Sequence, residues 1–332
     1  MEFVSAADER RGQGSKVLRR SALLALLALT MGLVTACGGQ PPGSGDRLSI
    51  ATGGSGGVYS VYGGGLANQI SQNVEGYEAT AETTSASVDN MNLIDSQSSD
   101  MAFTLADTAA DAVNGEAQFD QPVPAQAIGQ LYTNYNHVVT TEGSDIQSIE
   151  DLEGKTVSLG SPGSGTEITA LRILEAAGID PETDIETRNL GVSESVDALG
   201  DGSVDAFFWS GGLPTGAVTD AATTSNIRLL DISNVVEPLQ EEYGDVYQVS
   251  TIPGDTYSGV EEDVKTIGVP NYLVVNEAMD EQLAYDLTRV LFEQKDALVQ
   301  VHPAAKSLDL ETAQQVKPLQ IHPGAQRYYD EQ

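Results

Sequence analysis

One cysteine, three histidines and 16 basic side chains are all that this chain of 332 residues has of three kinds of group that commonly carry chemistry. With so few soft ligands, a histidine-rich or thiolate site for zinc or iron is not expected, and no cofactor is expected either. The 16 Lys and Arg stand against 49 Asp and Glu, a formal net charge of -33. Such a field repels phosphate backbones and anionic headgroups, which argues against nucleic-acid binding and against peripheral attachment to acidic membranes. Hydrophobic residues still make up 40% of the chain, so it is acidic but globular. Its length suits two ordinary domains or one large one.

The lone cysteine is informative by position. Arg10, Arg11, Lys16, Arg19 and Arg20 precede an apolar run from Ala22 to Val34, broken only at Thr30 and Gly32, and Thr35-Ala36-Cys37 follows. A basic region, a short apolar core and small residues before a cut are the order of a secretory signal. The run is too short to span a bilayer comfortably. A cysteine directly after the small residues resembles a bacterial lipobox, which implies lipidation of Cys37 and a two-chain anchor of stable attachment. Residues 1–36 are then a signal peptide, residues 37–46 a flexible tether rich in Gly, Pro and Ser, and the folded body sits on the outer face of the cytoplasmic membrane.

From Arg47 onward strand and helix patterns alternate, the mark of parallel strands joined by helical crossovers. Strands are expected at Leu48–Thr52, Tyr77–Thr83, Met101–Phe103 and Ala127–Tyr132, with helices at Val58–Gln72 and Val88–Asp95. Near Asn136 to Thr141 the chain leaves this unit and a second begins. It has strands at Thr156–Leu159, Glu186–Leu190, Val204–Phe208 and Ile227–Leu230, and helices at Thr166–Ala177 and Ser193–Leu199. A β-rich segment, Lys265–Val275, and a long helix, Asp280–Val299, return to the first unit. The expected fold class is α/β with two lobes, each a mostly parallel sheet flanked by helices, joined by a hinge of two strands. Residues 47–138 plus 270–332 form one lobe and 139–269 the other.

A glycine-rich turn opens each unit, Thr52-Gly53-Gly54-Ser55-Gly56-Gly57 in the first and Gly160-Ser161-Pro162-Gly163-Ser164-Gly165-Thr166 in the second. Each stands between a strand and a helix, so main-chain N–H groups and hydroxyls converge where the helix dipole is positive. Ligands of open α/β sheets settle beyond the carboxyl ends of the strands, so two facing units bring both turns to one cleft. Either the turns cradle an anion or their glycines serve only tight turns and packing. Ser164-x-x-Glu167 matches a capping box, which assigns Glu167 to the helix start. Tyr59 either closes on a ligand or belongs to the core. Trp209, the only tryptophan, ends an apolar strand before Gly211-Gly212, with a helix expected near Pro214, and is read either as packing or as cleft wall.

Two enzyme readings fare less well. Gly53-Gly54-Ser55-Gly56-Gly57 satisfies G-x-S-x-G between strand and helix, the context of an esterase nucleophile. It lies on the first strand, however, and the only candidate bases are His137, His302 and His322, two of them before proline in expected surface turns. No G-x-x-x-x-G-K-[ST] run occurs and the first turn lacks G-x-G-x-x-G spacing, so nucleotide binding has no support.

Ala51 to Tyr59, Lys155 to Thr166, Asp205 to Pro214 and the closing Ile321-His322-Pro323-Gly324-Ala325-Gln326-Arg327-Tyr328-Tyr329 together resemble the TAXI family of solute receptors, the extracytoplasmic binding components of one class of TRAP transporters. The resemblance implies a type II-like periplasmic-binding-protein fold, no enzymatic activity and no cofactor. It also implies capture of a small carboxylate such as glutamate, glutamine or 2-oxoglutarate, and delivery to a TRAP permease driven by an ion gradient. Matching positions carry ligand contact onto Thr52, Gly53, Ser55, Gly57 and Tyr59, and onto Ser161, Gly163, Ser164, Gly165 and Thr166, with Trp209, Gly211 and Gly212 lining the wall. Arg172 lies almost two turns into its helix and is left outside this set. A receptor for an ATP-driven ABC importer shares the fold and the export signal and is the alternative.

Overall fold

The computed structural model describes residues 46–332; the signal segment, Cys37 and the tether up to residue 45 lie outside the described residues. The first half runs β1 (Asp46–Ala51), α1 (Val58–Asn73), β2 (Tyr77–Glu82), α2 (Ser87–Asp95), β3 (Met101–Leu105) and α3 (Ala106–Asn114). After the long β4 (Ala125–Thr141) the pattern repeats as β5 (Thr156–Ser158), α4 (Gly165–Ala176), β6 (Glu186–Arg188), α5 (Val192–Asp201), β7 (Ala206–Gly211), α6 (Gly216–Thr224) and β8 (Ile227–Leu229). Then come α7 (Val236–Tyr243), β9 (Gln248–Ile252), the long β10 (Val264–Asn276), α8 (Glu281–Glu293), α9 (Lys295–Val301) and α10 (Pro323–Asp330).

The strand order is β2-β1-β3-β10-β4-β7-β5-β6, with β8 paired to β4 and β9 to β10. In each half the first strand lies parallel between the second and the third, and the third lies antiparallel to a long strand: β3 against β10, β7 against β4. The two long strands join the halves. β4 pairs with β10 as far as Tyr135 and with β7 from Tyr135 onward, while β10 pairs with β9 up to Gly268 and with β4 beyond it. This is the two-lobed α/β arrangement that the sequence predicts, and residues 138 and 269 fall inside the two connecting strands.

Burial explains the element types. All of β3, Met-Ala-Phe-Thr-Leu, is buried, as a central strand covered on both faces must be. Helix α1 turns Val58, Tyr59, Tyr62, Leu66, Ala67 and Ile70 inward, a stripe at helical spacing that packs on Phe103 and Tyr132. The expected helix Asp280–Val299 is two helices parted at Gln294. Asp280 caps the first by accepting from the N–H groups of Gln282 and Leu283, and the second turns Leu298 into the core shared with α1.

The two His-Pro pairs are not surface turns. His302 and His322 are buried, and each accepts on Nδ1 a main-chain N–H two residues on, from Ala304 and Gly324 at 3.1 and 3.2 Å. Each stands as the cap before a proline at the first helical position. The third histidine, His137 on β4, is almost wholly buried. Its Nδ1 lies 2.8 Å from the Tyr135 carbonyl and its Nε2 2.9 Å from the Tyr257 hydroxyl, which also accepts the Thr215 N–H at 3.1 Å. A neutral ring donating from Nδ1 and accepting on Nε2 satisfies every member of that chain.

Burial lowers the His137 pKa from 6.5 to about 4. The unfolded chain therefore takes up a proton as pH falls below 6.5 while the folded chain does not until about pH 4. The stability contributed by the neutral ring is complete above pH 6.5 and is lost across that window, by about 3 kcal/mol. Urea unfolding of wild type and His137→Gln from pH 7 to pH 4 checks this: the variant shows a shallower decline, and parallel profiles would refute the assignment.

Candidate functional site

The carboxyl ends of β1, β2, β3, β5, β6 and β7 open onto one cavity of about 280 Å³, with Tyr132 and Asn134 of β4 contributing from the connecting strands. Its wall holds Gly53, Ser55, Gly57 and Tyr59 from the first glycine-rich turn and Ser161, Ser164, Gly165 and Thr166 from the second, together with Trp209 and Gly211. The structure therefore brings both turns and the end of the Trp209 strand to one place.

Three of the expected positions do not line it. Thr52 is buried beneath the loop and donates its hydroxyl to the Glu82 carbonyl at 2.6 Å. Gly163 is held on both sides: its N–H donates to Glu167 Oε2 at 2.8 Å, and its carbonyl accepts from Val88 and Asp89 at 3.2 Å, closing the first turn of α2. Gly212 packs on the ring of Tyr132, which stands 2.9 Å from where a Cβ would be. The capping motif is realised in modified form. Ser164 accepts the Glu167 N–H at 3.1 Å, but the Glu167 carboxylate reaches the residue before the cap and also accepts from Asn189 at 2.6 Å.

The second strand of each half is where the sequence predicts it, but no ligand contact is expected from the sequence on the loop that follows either one. Thr83, Ser85, Ala86 and Ser87 follow β2, and Gly191, Val192, Ser193 and Glu194 follow β6. Both are Ser, Thr or Gly clusters leading into a helix, and the rule that ligands gather at carboxyl strand ends reaches them as readily as the two turns that were chosen. Ala86 sits at φ 87°, a backbone state rare for a residue with a Cβ. The turn is held by the Asp89 carboxylate, which accepts the Ser85 N–H at 3.2 Å, and by the Thr84 hydroxyl, which accepts the Ala86 N–H at 3.1 Å.

The floor of the cavity is a polar relay across the connecting strands. Tyr59 donates its hydroxyl to Asn271 Oδ1, Asn271 donates to Asn134 Oδ1 at 2.8 Å, and Asn134 donates to the Ser210 carbonyl at 3.0 Å. Burial pushes the phenols of Tyr59 and Tyr132 well above their ordinary pKa, and both remain protonated donors. Trp209 is fixed by its Nε1–H, which donates to Thr215 at 2.9 Å, and its ring lies against Gly57, where a Cβ would stand 3.0 Å away.

The two halves also touch directly over this cavity. Ser193 donates to the Ser55 carbonyl at 3.2 Å, and the Ala217 N–H donates to the Gly56 carbonyl at 3.3 Å. At the back, Arg172 of α4 donates twice to Asp111 of α3, at 2.7 and 2.9 Å, and once to the Tyr247 hydroxyl at 3.1 Å. The guanidinium lies 4.2 Å over the Tyr243 ring and does not line the cavity.

The sequence profile of the NMT1-like family matches residues 50–332. The chain belongs to the NMT1-like family. That match covers both halves and every cavity residue named above, and it does not single out the TAXI class. Solved structures with a related chain course include the periplasmic aliphatic sulphonate binding protein SsuA from Escherichia coli, 15% identical, covering 87% of this chain and 84% of that one with a TM-score of 0.49. An ancestral arginine-binding protein bound to arginine is 15% identical over 78% of this chain and 98% of its own, with a TM-score of 0.49. The ligand-binding component of an ABC-type import system from Staphylococcus aureus with zinc bound is 12% identical over 86% and 84%, with a TM-score of 0.48.

The nucleophile reading of Ser55 has no base to serve it. None of the three histidines lines the cavity, and each engages both ring nitrogens elsewhere: His302 Nε2 faces the Pro214 carbonyl at 3.2 Å and His322 Nε2 the Met279 carbonyl at 3.2 Å.

Proposed function

We propose that this chain is an extracytoplasmic solute-binding protein that closes its two halves on a small carboxylate and delivers it to a membrane permease. The observation that carries the reading is the cavity itself, formed by strand ends from both halves beneath direct contacts from Ser193 to Ser55 and from Ala217 to Gly56. A solute that touches both walls stabilises the closed arrangement by its differential affinity, which is what a hinge built on two connecting strands requires. Four helices, α1, α2, α4 and α5, start at this cavity. Their N-terminal ends favour an anionic group without any cation in the wall.

Export and lipid anchoring at Cys37 belong to the same proposal and rest on the sequence signal described above. Of the two permease classes, the ABC-type import system is the one to which the Staphylococcus aureus ligand-binding component belongs. The ion-gradient-driven TRAP class rests on the resemblance of four sequence motifs. Uptake into vesicles carrying the neighbouring permease separates them, since one dependence is on ATP and the other on an ion gradient.

Trp209 supplies the binding test, because it is the only tryptophan in the chain and lines the cavity. Addition of the cognate carboxylate changes its fluorescence and, at a hundredfold excess over Kd, stabilises the fold by about 2.7 kcal/mol. A screen of carboxylates that leaves both the fluorescence and the melting temperature unchanged would refute the receptor reading.

A further inference from the structure

We propose that the solute is a monocarboxylate with an apolar body and no ammonium group, as in a branched aliphatic 2-oxo acid. The inference rests on the receptor reading above and narrows it. It begins with the direction of the hydrogen bonds in the wall. Ser87, Ser164 and Thr166 are buried, and each hydroxyl oxygen already accepts a main-chain N–H, from Leu105 at 3.1 Å, Glu167 at 3.1 Å and Ser210 at 3.3 Å. Among the described residues neither the Ser164 nor the Thr166 hydroxyl donates to any acceptor, so both keep their hydrogens for the cavity, while the Ser87 hydroxyl turns to the phenol oxygen of Tyr59. Tyr132 adds a third group, a buried hydroxyl with no partner among the described residues. These are donors gathered without acceptors, and what they suit is oxyanion oxygen, with a 2-oxo oxygen as a further acceptor.

The charges set the number of carboxylates. Among the described residues Glu194 is the only charged side chain in the wall, and no Lys, Arg or His lines it. Neutral donors and helix ends carry one anionic head. A second carboxylate enters a cavity with no cation to meet it. An ammonium group finds little to hold it at the donor-lined end, where Asn134 Oδ1 already takes the Asn271 amide, and the one carboxylate, Glu194, whose Oε2 takes the Gly191 N–H at 3.0 Å, stands exposed at the start of α5. The remaining wall, Val58, Leu105, Val192 and the rings of Tyr132 and Trp209, offers apolar surface for the body of the molecule.

Matched ligands isolate each group. Titration of the purified chain by calorimetry and Trp209 fluorescence compares 4-methyl-2-oxopentanoate with 2-oxoglutarate, which adds a carboxylate, and with leucine, which replaces the oxo group by an ammonium. Glutamate completes the set. We expect 4-methyl-2-oxopentanoate to bind at least tenfold more tightly than the other three. Equal or tighter binding of any of them overturns the proposal and leaves the receptor reading intact. Absence of binding by all four overturns the proposal, and the receptor reading then falls only if the wider carboxylate screen is silent as well. Thr166→Val and Tyr132→Phe locate the head: each weakens 4-methyl-2-oxopentanoate at least tenfold with the melting temperature of the free protein checked alongside, and unchanged affinity in both overturns the placement.

Discussion

Replacing Arg172 by methionine lowers the free energy of unfolding by about 3 kcal/mol at pH 7, the scale on which removal of one partner from a buried ion pair is felt. In a chain of this size that corresponds to a drop of roughly 6–12 °C in melting temperature. Arg172 and Asp111 retain only 10% and 11% of their side-chain exposure, so solvent does little to replace the lost partner. Burial already raises the Asp111 pKa, with Arg172 pulling it back. Without the guanidinium the folded-state pKa rises further above the unfolded value near 3.8. At pH below both values the carboxyl is neutral in either state and the deficit is small. As pH climbs past 3.8 the unfolded chain loses its proton first, and the deficit grows. Chemical unfolding at pH 4 and pH 7 reads this directly. A deficit equal at both values would mean that lost packing over Tyr243, not the stranded carboxylate, carries the effect. Asp111→Asn added to Arg172→Met recovers part of the pH 7 loss.

The second large effect is on affinity. Gly56 has φ +83°, and a Cβ there would lie 2.6 Å from Ser193 Oγ and 3.1 Å from the Cβ of Ala217, both in the opposite half. Gly56→Val therefore imposes a left-handed backbone on a β-branched residue and wedges the halves apart where the Gly56 carbonyl now accepts from Ala217. Affinity for the solute falls on the order of 100-fold, about 2.7 kcal/mol of lost closed-state preference. Thermal unfolding of the free protein is followed alongside, because Ala217 and Val192, which a side chain at position 56 would meet, belong to a buried cluster of the opposite half. Gly54→Ala is the control: no atom lies within 4 Å of its Cβ position, and affinity changes less than twofold. Calorimetry on both decides the matter, and similar losses in the two variants would rule out the wedge.

The elements nearest the cavity were legible because they obey local rules. Strand, glycine-rich turn and helix follow one another at β1–α1 and β5–α4, and the structure begins those helices at Val58 and Gly165, within one residue of expectation. Where the reading stopped short, a polar residue had found its partner far away in sequence. The strand expected at Ala127–Tyr132 continues through Asn134, Asn136 and His137 to Thr141 because those side chains bond across the sheet, to Ser210, to the Ile267 carbonyl and to Tyr257. Helix α3 escaped notice because Asp107 and Asp111 occupy its inward face, where an apolar stripe would normally betray a helix; the groups that admit them come from elsewhere, Arg172 of α4 for Asp111 and the Thr169 and Tyr247 hydroxyls for Asp107. His302 and His322 look like turn residues until the buried main-chain N–H each one caps is seen.

Composition and local pattern thus determined the acidic character, the scarcity of metal ligands, the paired α/β units and the two donor-rich turns, since each follows from residue type or short-range spacing. Tertiary structure alone decided that six strand ends share one cavity and that Arg172 turns to Asp111 and away from that cavity. Among the described residues it also left the hydroxyl hydrogens of Ser164, Thr166 and Tyr132 without acceptors. Those are outcomes of contacts between residues far apart in the chain, and hydrogen-bond direction and charge pairing exist only once both partners are in place.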